Sequence, residues 1–474
     1  MKKKTKTMHM TIPHRPALLA LALATALAGC AVGPVYQPPP VETPVAFKEG
    51  QGAWVRAVPA DLLERGPWWE LFQDPELNAL AARVEVSNQN VAAAVARYAQ
   101  ARALVAEQRA TLFPIVSLDG GGSRSGGGGD TPTRGSYQVD IGGAWEPDVW
   151  GRLRRGVDSA RSGEQASLAD LQAAKLSAQG ELAVDYFNLR ELDAASALQA
   201  QTIAGYERTL RITGNRYEAG IVARTDVLQA QTQLANARAE LLGLQRQRAA
   251  LEHAIAVLTG QAPASFSLAP RPAWQGVVPD VPFDVPSTLL QRRPDIAAAE
   301  RRVAQANEQI GIAQSALYPS LRLSGSLGAG AASIGDLFSA SALAWSLGAS
   351  LAQTIFDAGG RQARVSGARA SHEEAAARYR QTVLAAFRDV EDQLVAARAL
   401  QQQVVLRQQA ADAASLVEQQ VLNRYQAGQV SFTEVVTAQV TAQNARRALT
   451  QALADRQVAA VALIQALGGG WRGL

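Results

Sequence analysis

Four short segments of the chain alternate apolar and polar residues with a period of two. The first places Val116 and Leu118 on one face and Ser117 and Asp119 on the other. The other three cover residues 137–145, 320–327 and 345–351. Such alternation predicts β-strands that each have one apolar face. Long stretches rich in Ala, Leu, Val and Gln lie between them and favour helix, so we expect a mainly α chain with a small β part.

The predicted helices follow the same order in both halves of the chain. A first helix precedes a pair of strands and ends near Pro114 or Pro319; a long helix, a turn and a return helix follow the strands. The ranges are 75–112, 152–213 and 224–259 in the first half, and 295–317, 361–425 and 432–467 in the second. The two long helices, 152–213 and 361–425, would each extend over roughly 90 Å at 1.5 Å per residue. No compact core requires that length, so we expect coiled-coil hairpins or the wall of a tube.

The N-terminus has the pattern of a secretory signal. Residues 2–6 are rich in Lys, and the apolar run 16–28 is too short to span a bilayer. The run ends at Leu27-Ala28-Gly29-Cys30, which resembles the lipobox of bacterial lipoproteins. That resemblance implies N-palmitoyl and S-diacylglycerol groups on Cys30 and, because Ala31 follows, sorting to the outer membrane. A cysteine that happens to end an ordinary signal is the alternative.

A tandem duplication accounts for the repeated order. The segment Arg216–Gly220 (Arg-Tyr-Glu-Ala-Gly) returns as Arg424–Gly428 (Arg-Tyr-Gln-Ala-Gly), at an offset of 208 residues. We therefore expect a cleaved signal peptide (1–29), a lipidated N-terminal tether and equatorial segment (30–73), a first repeat (74–261), a proline-rich connector (262–293), and a second repeat with a C-terminal tail (294–474).

Aromatic residues stand where the predicted strands meet their helices: Phe113, Trp150, Tyr318 and Phe356. Residues at one such level form the interfacial girdle of transmembrane barrels, although ordinary helix–strand packing also explains them. Four strands cannot close a barrel, and lipid does not tolerate open sheet edges. If the strands lie in a membrane, three chains must therefore supply twelve strands. A soluble sheet packed on a core is the alternative.

Charge and candidate chemistry add little to this scheme. The net charge of +4 falls to −1 when the five Lys and Arg residues of segment 1–29 are removed, which leaves no argument for binding nucleic acid. His372-Glu373-Glu374 lacks the second His of a zinc-binding helix, and a single Cys excludes a multi-cysteine metal site. We expect no catalytic residues, no metal and no cofactor apart from the covalent lipid.

Several motifs, taken together and in order, resemble the TolC-like outer-membrane factors, and most closely their NodT-like lipoprotein branch. The motifs are Cys30–Pro34, Phe72–Leu77, Trp145–Arg152, Leu290–Ile296, Ala299–Arg302, Tyr318–Leu321 and Phe387–Asp392. The resemblance implies a homotrimer in which a twelve-stranded β-barrel, four strands per chain, continues into a long α-helical barrel. It also implies a periplasmic adaptor and an RND-type inner-membrane pump as partners, and passive conduction of drugs or other solutes through the outer membrane.

The resemblance assigns roles to residues near the two hairpin turns. Gly220 and Gly428 correspond to the periplasmic tips that contact the adaptor, and Arg216 and Arg424 flank them. Glu434 corresponds to an acidic residue that narrows the closed pore, and Asp226 is its equivalent in the first repeat. A first-turn carboxylate that favours the helix macrodipole is the alternative for both acids. For the arginines, ion pairs that pin the tips and capping of a helix C-terminus remain open.

Three functions are compatible with this pattern. The first is the outer-membrane channel of a tripartite efflux system. The second is the exit duct of a type I protein secretion system, which would share the architecture and differ in its partner. The third is a periplasmic coiled-coil lipoprotein without a pore. The alternating strands and their aromatic ends favour a channel.

Overall fold

The structure, a computed structural model, describes residues 32–41, 47–49, 66–126, 134–274, 276–279 and 293–469. The predicted signal peptide and Cys30 lie outside these residues, and the predicted connector 262–293 is described only in part. Residue contacts divide the chain into two compact units. The first comprises 1–39, 99–166 and 300–378, and the second comprises 40–98, 167–299 and 379–474.

The predicted helices are present, and their lengths repeat. They are α1 (Pro75–Ser87), α2 (Gln89–Ala110), α3 (Arg152–Glu218), α4 (Arg224–Leu258), α5 (Pro294–Ser315), α6 (Gly360–Gln426) and α7 (Phe432–Ala466). The long helices α3 and α6 have 67 residues each, and the return helices α4 and α7 have 35 each. These equal lengths confirm the tandem repeat predicted from the sequence.

The first predicted helix, 75–112, is wrong in one respect, because the structure divides it into α1 and α2 at Asn88. The side-chain oxygen of Asn88 accepts hydrogen bonds from the backbone N–H groups of Asn90 and Val91, at 2.9 and 3.1 Å. Its amide also donates to the carbonyl of Leu258 at 2.9 Å. An asparagine that caps a helix start and is also held by a distant carbonyl stabilises an extended backbone at that point.

The four predicted strands form one antiparallel sheet in the order β1-β2-β3-β4, so β1 and β4 are its edges. The strands are β1 (Ile115–Ser125), β2 (Arg134–Trp145), β3 (Ser320–Ala331) and β4 (Leu343–Ala352). Each repeat contributes one hairpin, and the pairing of β2 with β3 joins the two hairpins. The whole sheet lies in the first unit.

The second unit has an aromatic core beside a group of buried charges. Phe72, Phe187 and Trp274 pack with ring centroids 4.9 to 5.9 Å apart. Nearby, the fully buried Arg190 guanidinium lies 2.5 Å from a Glu76 oxygen and 2.6 Å from an Asp193 oxygen. These partners offset the cost of removing the guanidinium from water.

One acid of the second unit is sensitive to pH. Burial raises the pKa of Asp185 to about 6, and the neighbouring charge of Glu181 adds to the rise. The ordinary value is 3.8, so the folded chain holds this proton more tightly than the unfolded chain does. The contribution of Asp185 to the free energy of unfolding is therefore lost as the pH rises from about 4 through 6.

Among the residues that the structure describes, none of the helices combines the length and the apolarity needed to cross a membrane.

Candidate functional site

Both long helices end in the same tight turn. Gly220 and Gly428 have φ angles of 73° and 76°, a region that favours glycine because it has no Cβ. After α3, the N–H of Ile221 donates to the carbonyl of Arg216 at 2.8 Å; after α6, that of Gln429 donates to Arg424 at 2.9 Å. These backbone bonds close each helix and reverse the chain into the return helix.

Arg216 joins the end of α3 to the end of α6. Its Nη1 donates to the backbone carbonyl of Tyr425, and its guanidinium carbon lies 4.7 Å from the centre of the Tyr425 ring. The arginine thus stabilises the C-terminus of the other long helix by charge and by a cation–π contact. Arg424, its repeat equivalent, is exposed. Within the chain Arg216 therefore makes a capping contact, and a role of Arg216 and Arg424 in ion pairs that pin the tips stays a prediction.

A small apolar cluster lies directly behind these turns. Tyr425 and Phe432 pack with their ring centroids 5.6 Å apart, and both are buried. Ala230 of α4 and Val435 of α7 complete the buried part of the cluster. The tips of the two hairpins are therefore held against each other within one chain.

The two acids predicted at the gate occupy the same position, the third residue of a return helix, in different surroundings. Glu434 is exposed, and its Oε1 accepts from the backbone N–H of Ser431 at 3.2 Å and from the Ser431 hydroxyl at 3.3 Å. It is therefore part of a capping box at the start of α7. Asp226 is half-buried and follows Ala223, which has no side chain for capping. A capping role for Glu434 leaves its second carboxylate oxygen available to solvent.

Further along the helices from the tips, a ladder of polar groups joins α3 to α7. Gln443 donates to Gln199 at 2.8 Å, Gln199 donates to the Ala237 carbonyl at 2.8 Å, and Gln439 donates to Thr209 at 3.2 Å. This ladder is not among the features predicted from the sequence. The signal that points to it is the pair Gln439 and Gln443, four residues apart and hence on one face of a helix.

Two of the four predicted girdle residues meet where the sheet joins its helices. The rings of Trp150 and Tyr318 stack with centroids 4.8 Å apart, and the Trp150 indole donates to the Pro319 carbonyl at 2.7 Å. Phe113 and Phe356 are 67% and 85% exposed. A girdle made of all four residues stays a prediction.

The sheet has one apolar face and one polar face. Leu118, Ile141, Leu327 and Trp345 are direct neighbours across the four strands, and between 49% and 73% of each residue is exposed. On the other face, the hydroxyls of Ser326 and Ser346 lie 2.9 Å apart. We call these four large side chains the apolar row. In water their exposure is unfavourable, so the row indicates a lipid surface or an apolar partner.

The described residues contain no cluster of three or more His, Cys, Asp or Glu side chains arranged to hold a metal ion. The structure thus offers two functional features within these residues, the apolar row with its sheet edges and the capped helical tips.

This chain is similar in sequence to known outer-membrane proteins. A family model described as "Outer membrane efflux protein" matches residues 80–261 and 285–469. The outer-membrane protein OpmQ for pyoverdine export, from Pseudomonas aeruginosa, is 31% identical over 92% of this chain and 94% of its own length. The cation efflux protein CusC of Escherichia coli O6:H1 is 28% identical over 96% of this chain and 99% of its own.

The fold agrees with solved structures as well. The outer-membrane channel OprN superimposes with a TM-score of 0.84 at 31% identity, over 93% of this chain and all of the other. The family match extends through both repeats and includes all four strands and all four long and return helices. The chain therefore belongs to the outer membrane efflux protein family.

Proposed function

We propose that this protein is the outer-membrane channel of a tripartite efflux system. The observation that carries the proposal is the apolar row, which lies exposed on a sheet whose edge strands β1 and β4 have no partner strand among the residues that the structure describes. Lipid suits such a face, but it does not tolerate unpaired edges. A homotrimer resolves both constraints, because three four-stranded sheets pair edge to edge into one barrel of twelve strands.

The alternative of a coiled-coil lipoprotein without a pore leaves the apolar row unexplained. The two relatives reported above favour a conduit, since one is named for cations and the other for pyoverdine, which are chemically unlike. A shared architecture with such different cargo fits a passive duct whose substrate is chosen by its partners. Those partners are a periplasmic adaptor at the helical tips and an inner-membrane pump of the RND type.

The proposal includes a lipid anchor and a gate. The anchor is Cys30, which would carry N-palmitoyl and S-diacylglycerol groups; several acyl chains hold a protein firmly on a membrane.

The gate is the tip region, where Arg216 and Tyr425 keep the two hairpins together. In a trimer, Glu434 and Asp226 would contribute two rings of three carboxylates that attract cations.

The apolar row is tested by two substitutions at neighbouring positions. Leu327→Arg puts a charge on the apolar face, which costs about 2–4 kcal/mol when that face meets the middle of a bilayer. Ser326→Arg puts the same charge on the polar face. We expect Leu327→Arg to abolish folded trimers in the outer-membrane fraction, assayed by heat-modifiable gel mobility, and Ser326→Arg to leave them. Equal tolerance of both would contradict a lipid-facing row.

The gate carboxylate is tested by Glu434→Gln. Glutamine keeps the acceptor of the capping box but removes the charge, so α7 still starts at Phe432. We expect the K⁺ over Cl⁻ selectivity of single channels in planar bilayers to fall several-fold, whereas Glu434→Asp retains it. Unchanged selectivity in Glu434→Gln would reduce Glu434 to a capping residue.

The contact between the tips is tested by Arg216→Lys. Lysine keeps the positive charge but lacks the planar guanidinium that reaches both the carbonyl and the ring of Tyr425. We expect a higher open probability and larger conductance in planar bilayers. Arg424→Lys is the matched control, because Arg424 is the repeat equivalent and is exposed. The same change in both variants would show that the Arg216 contact does not hold the tips.

A further inference from the structure

The residues just after the predicted lipidation site are held in place by the first unit. We call residues 32–36 the N-terminal arm. The N–H of Val32 donates to the Trp150 carbonyl at 3.1 Å, beside the stack of Trp150 on Tyr318. At the other end of the arm, the Tyr36 hydroxyl donates to a carboxylate oxygen of Glu300 on α5. The arm is therefore bound at both ends, where the sequence predicts an extended tether.

The middle of the arm is held by both repeats. The carbonyl of Pro34 accepts hydrogen bonds from Arg155 of α3 and from Asn307 of α5, each at 3.3 Å. Arg155 is itself fixed by Glu308, whose carboxylate lies 2.6 Å from the guanidinium in a largely buried pair. One backbone carbonyl thus links a helix of the first repeat to a helix of the second.

Two glycines make this close contact possible. Gly33 has a φ of 123°, and a Cβ on it would lie 2.6 Å from the Cα of Gly311. A Cβ on Gly311 would in turn lie 2.3 Å from the Cδ of Arg155. Real atoms do not approach so closely, so a side chain at either position would displace the arm or Arg155.

The tandem repeat contains a natural comparison. Helices α2 and α5 have 22 residues each and are equivalent at an offset of 205, the offset that aligns Leu112 with Leu317. The α5 residues that receive the arm are Glu300, Asn307, Glu308 and Gly311, and their α2 equivalents are Val95, Arg102, Ala103 and Ala106. None of the four is shared. The α5 part of this binding site is therefore specific to the second repeat and is not a general feature of the helix pair.

We infer that the N-terminal arm is a docked strap that fixes the lipidated N-terminus at the Trp150–Tyr318 end of the sheet and links the two repeats there. This inference rests on the proposed lipidation of Cys30. Only Ala31 separates Cys30 from Val32 in the sequence, so acyl chains on Cys30 would be tethered to the arm by a short covalent link.

The strap is tested in the full-length, lipidated protein, purified and placed in vesicles of phosphatidylethanolamine and phosphatidylglycerol. Lipidation consumes the thiol of Cys30, so Val35→Cys, at an exposed position of the arm, carries the only nitroxide label. In a trimer the three equivalent labels give one distance by pulsed electron paramagnetic resonance. We expect a narrow distance distribution, because the arm is bound on both sides of position 35.

Two variants release the arm and one is a control. Gly33→Ala removes the fit against Gly311, and the triple exchange Asn307→Arg, Glu308→Ala and Gly311→Ala copies the first repeat into the second. We expect both to lose the narrow peak. Gly205→Ala, where a Cβ meets open space, should keep it. A broad distribution in the parent protein, or a narrow one in both Gly33→Ala and the triple exchange, would overturn the strap.

Two further measurements distinguish a failure of this inference from a failure of the proposed function. Intact mass of the labelled protein shows one label per chain if Cys30 is lipidated and two if it is not, and two labels would overturn the anchor that the strap is meant to fix. Single-channel conductance tests the pore alone. A conducting channel whose arm has a broad distance distribution contradicts the strap and leaves the channel intact.

Discussion

The constraint on which the rest of the structure depends is the unfinished sheet. One chain builds four antiparallel strands and exposes a continuous row of large apolar side chains across them. Within the described part of the chain, the two edges of this sheet have no partner strand. Water disfavours the row and lipid disfavours the edges, so neither solvent suits one copy. Closure by further copies satisfies both at once.

The two repeats share their helices, turns and hairpins, but they differ in the contacts made at the candidate functional features. Duplication supplies equal helices, equal turns and one hairpin from each half. At the tips, however, Arg216 reaches across to Tyr425 while its equivalent Arg424 remains exposed, and Ser431 caps a return helix where Ala223 has no capping side chain. At the sheet, α5 contributes four residues to the site of the N-terminal arm, and none of the four is repeated in the equivalent helix α2. The duplicated scaffold thus has one contact at its tips and one docked N-terminal arm that the repeat does not duplicate.

Much of the fold was accessible from the sequence, because period-two alternation, helical composition and a long internal repeat are local signals that tertiary packing here reinforces. The family match and the structure confirm the four strands, the hairpins and the duplication. The break at Asn88 was missed because it depends on a carbonyl 170 residues away. The glutamine ladder was missed for a related reason: Gln439 and Gln443 look like surface residues until α3 packs against them. At the tips, an ion pair and a capping contact are equally compatible with the sequence around Arg216, and its contact with Tyr425 depends on the packing of one hairpin against the other.

The number of chains in the purified particle tests the central claim most directly. The full-length protein, extracted from outer membranes in mild detergent, is to be weighed by native mass spectrometry with the detergent removed in the gas phase. We expect a mass of three mature chains, each increased by covalent lipid, because only pooled strands close the sheet. A particle with the mass of one chain that stays folded and soluble without detergent would contradict the account.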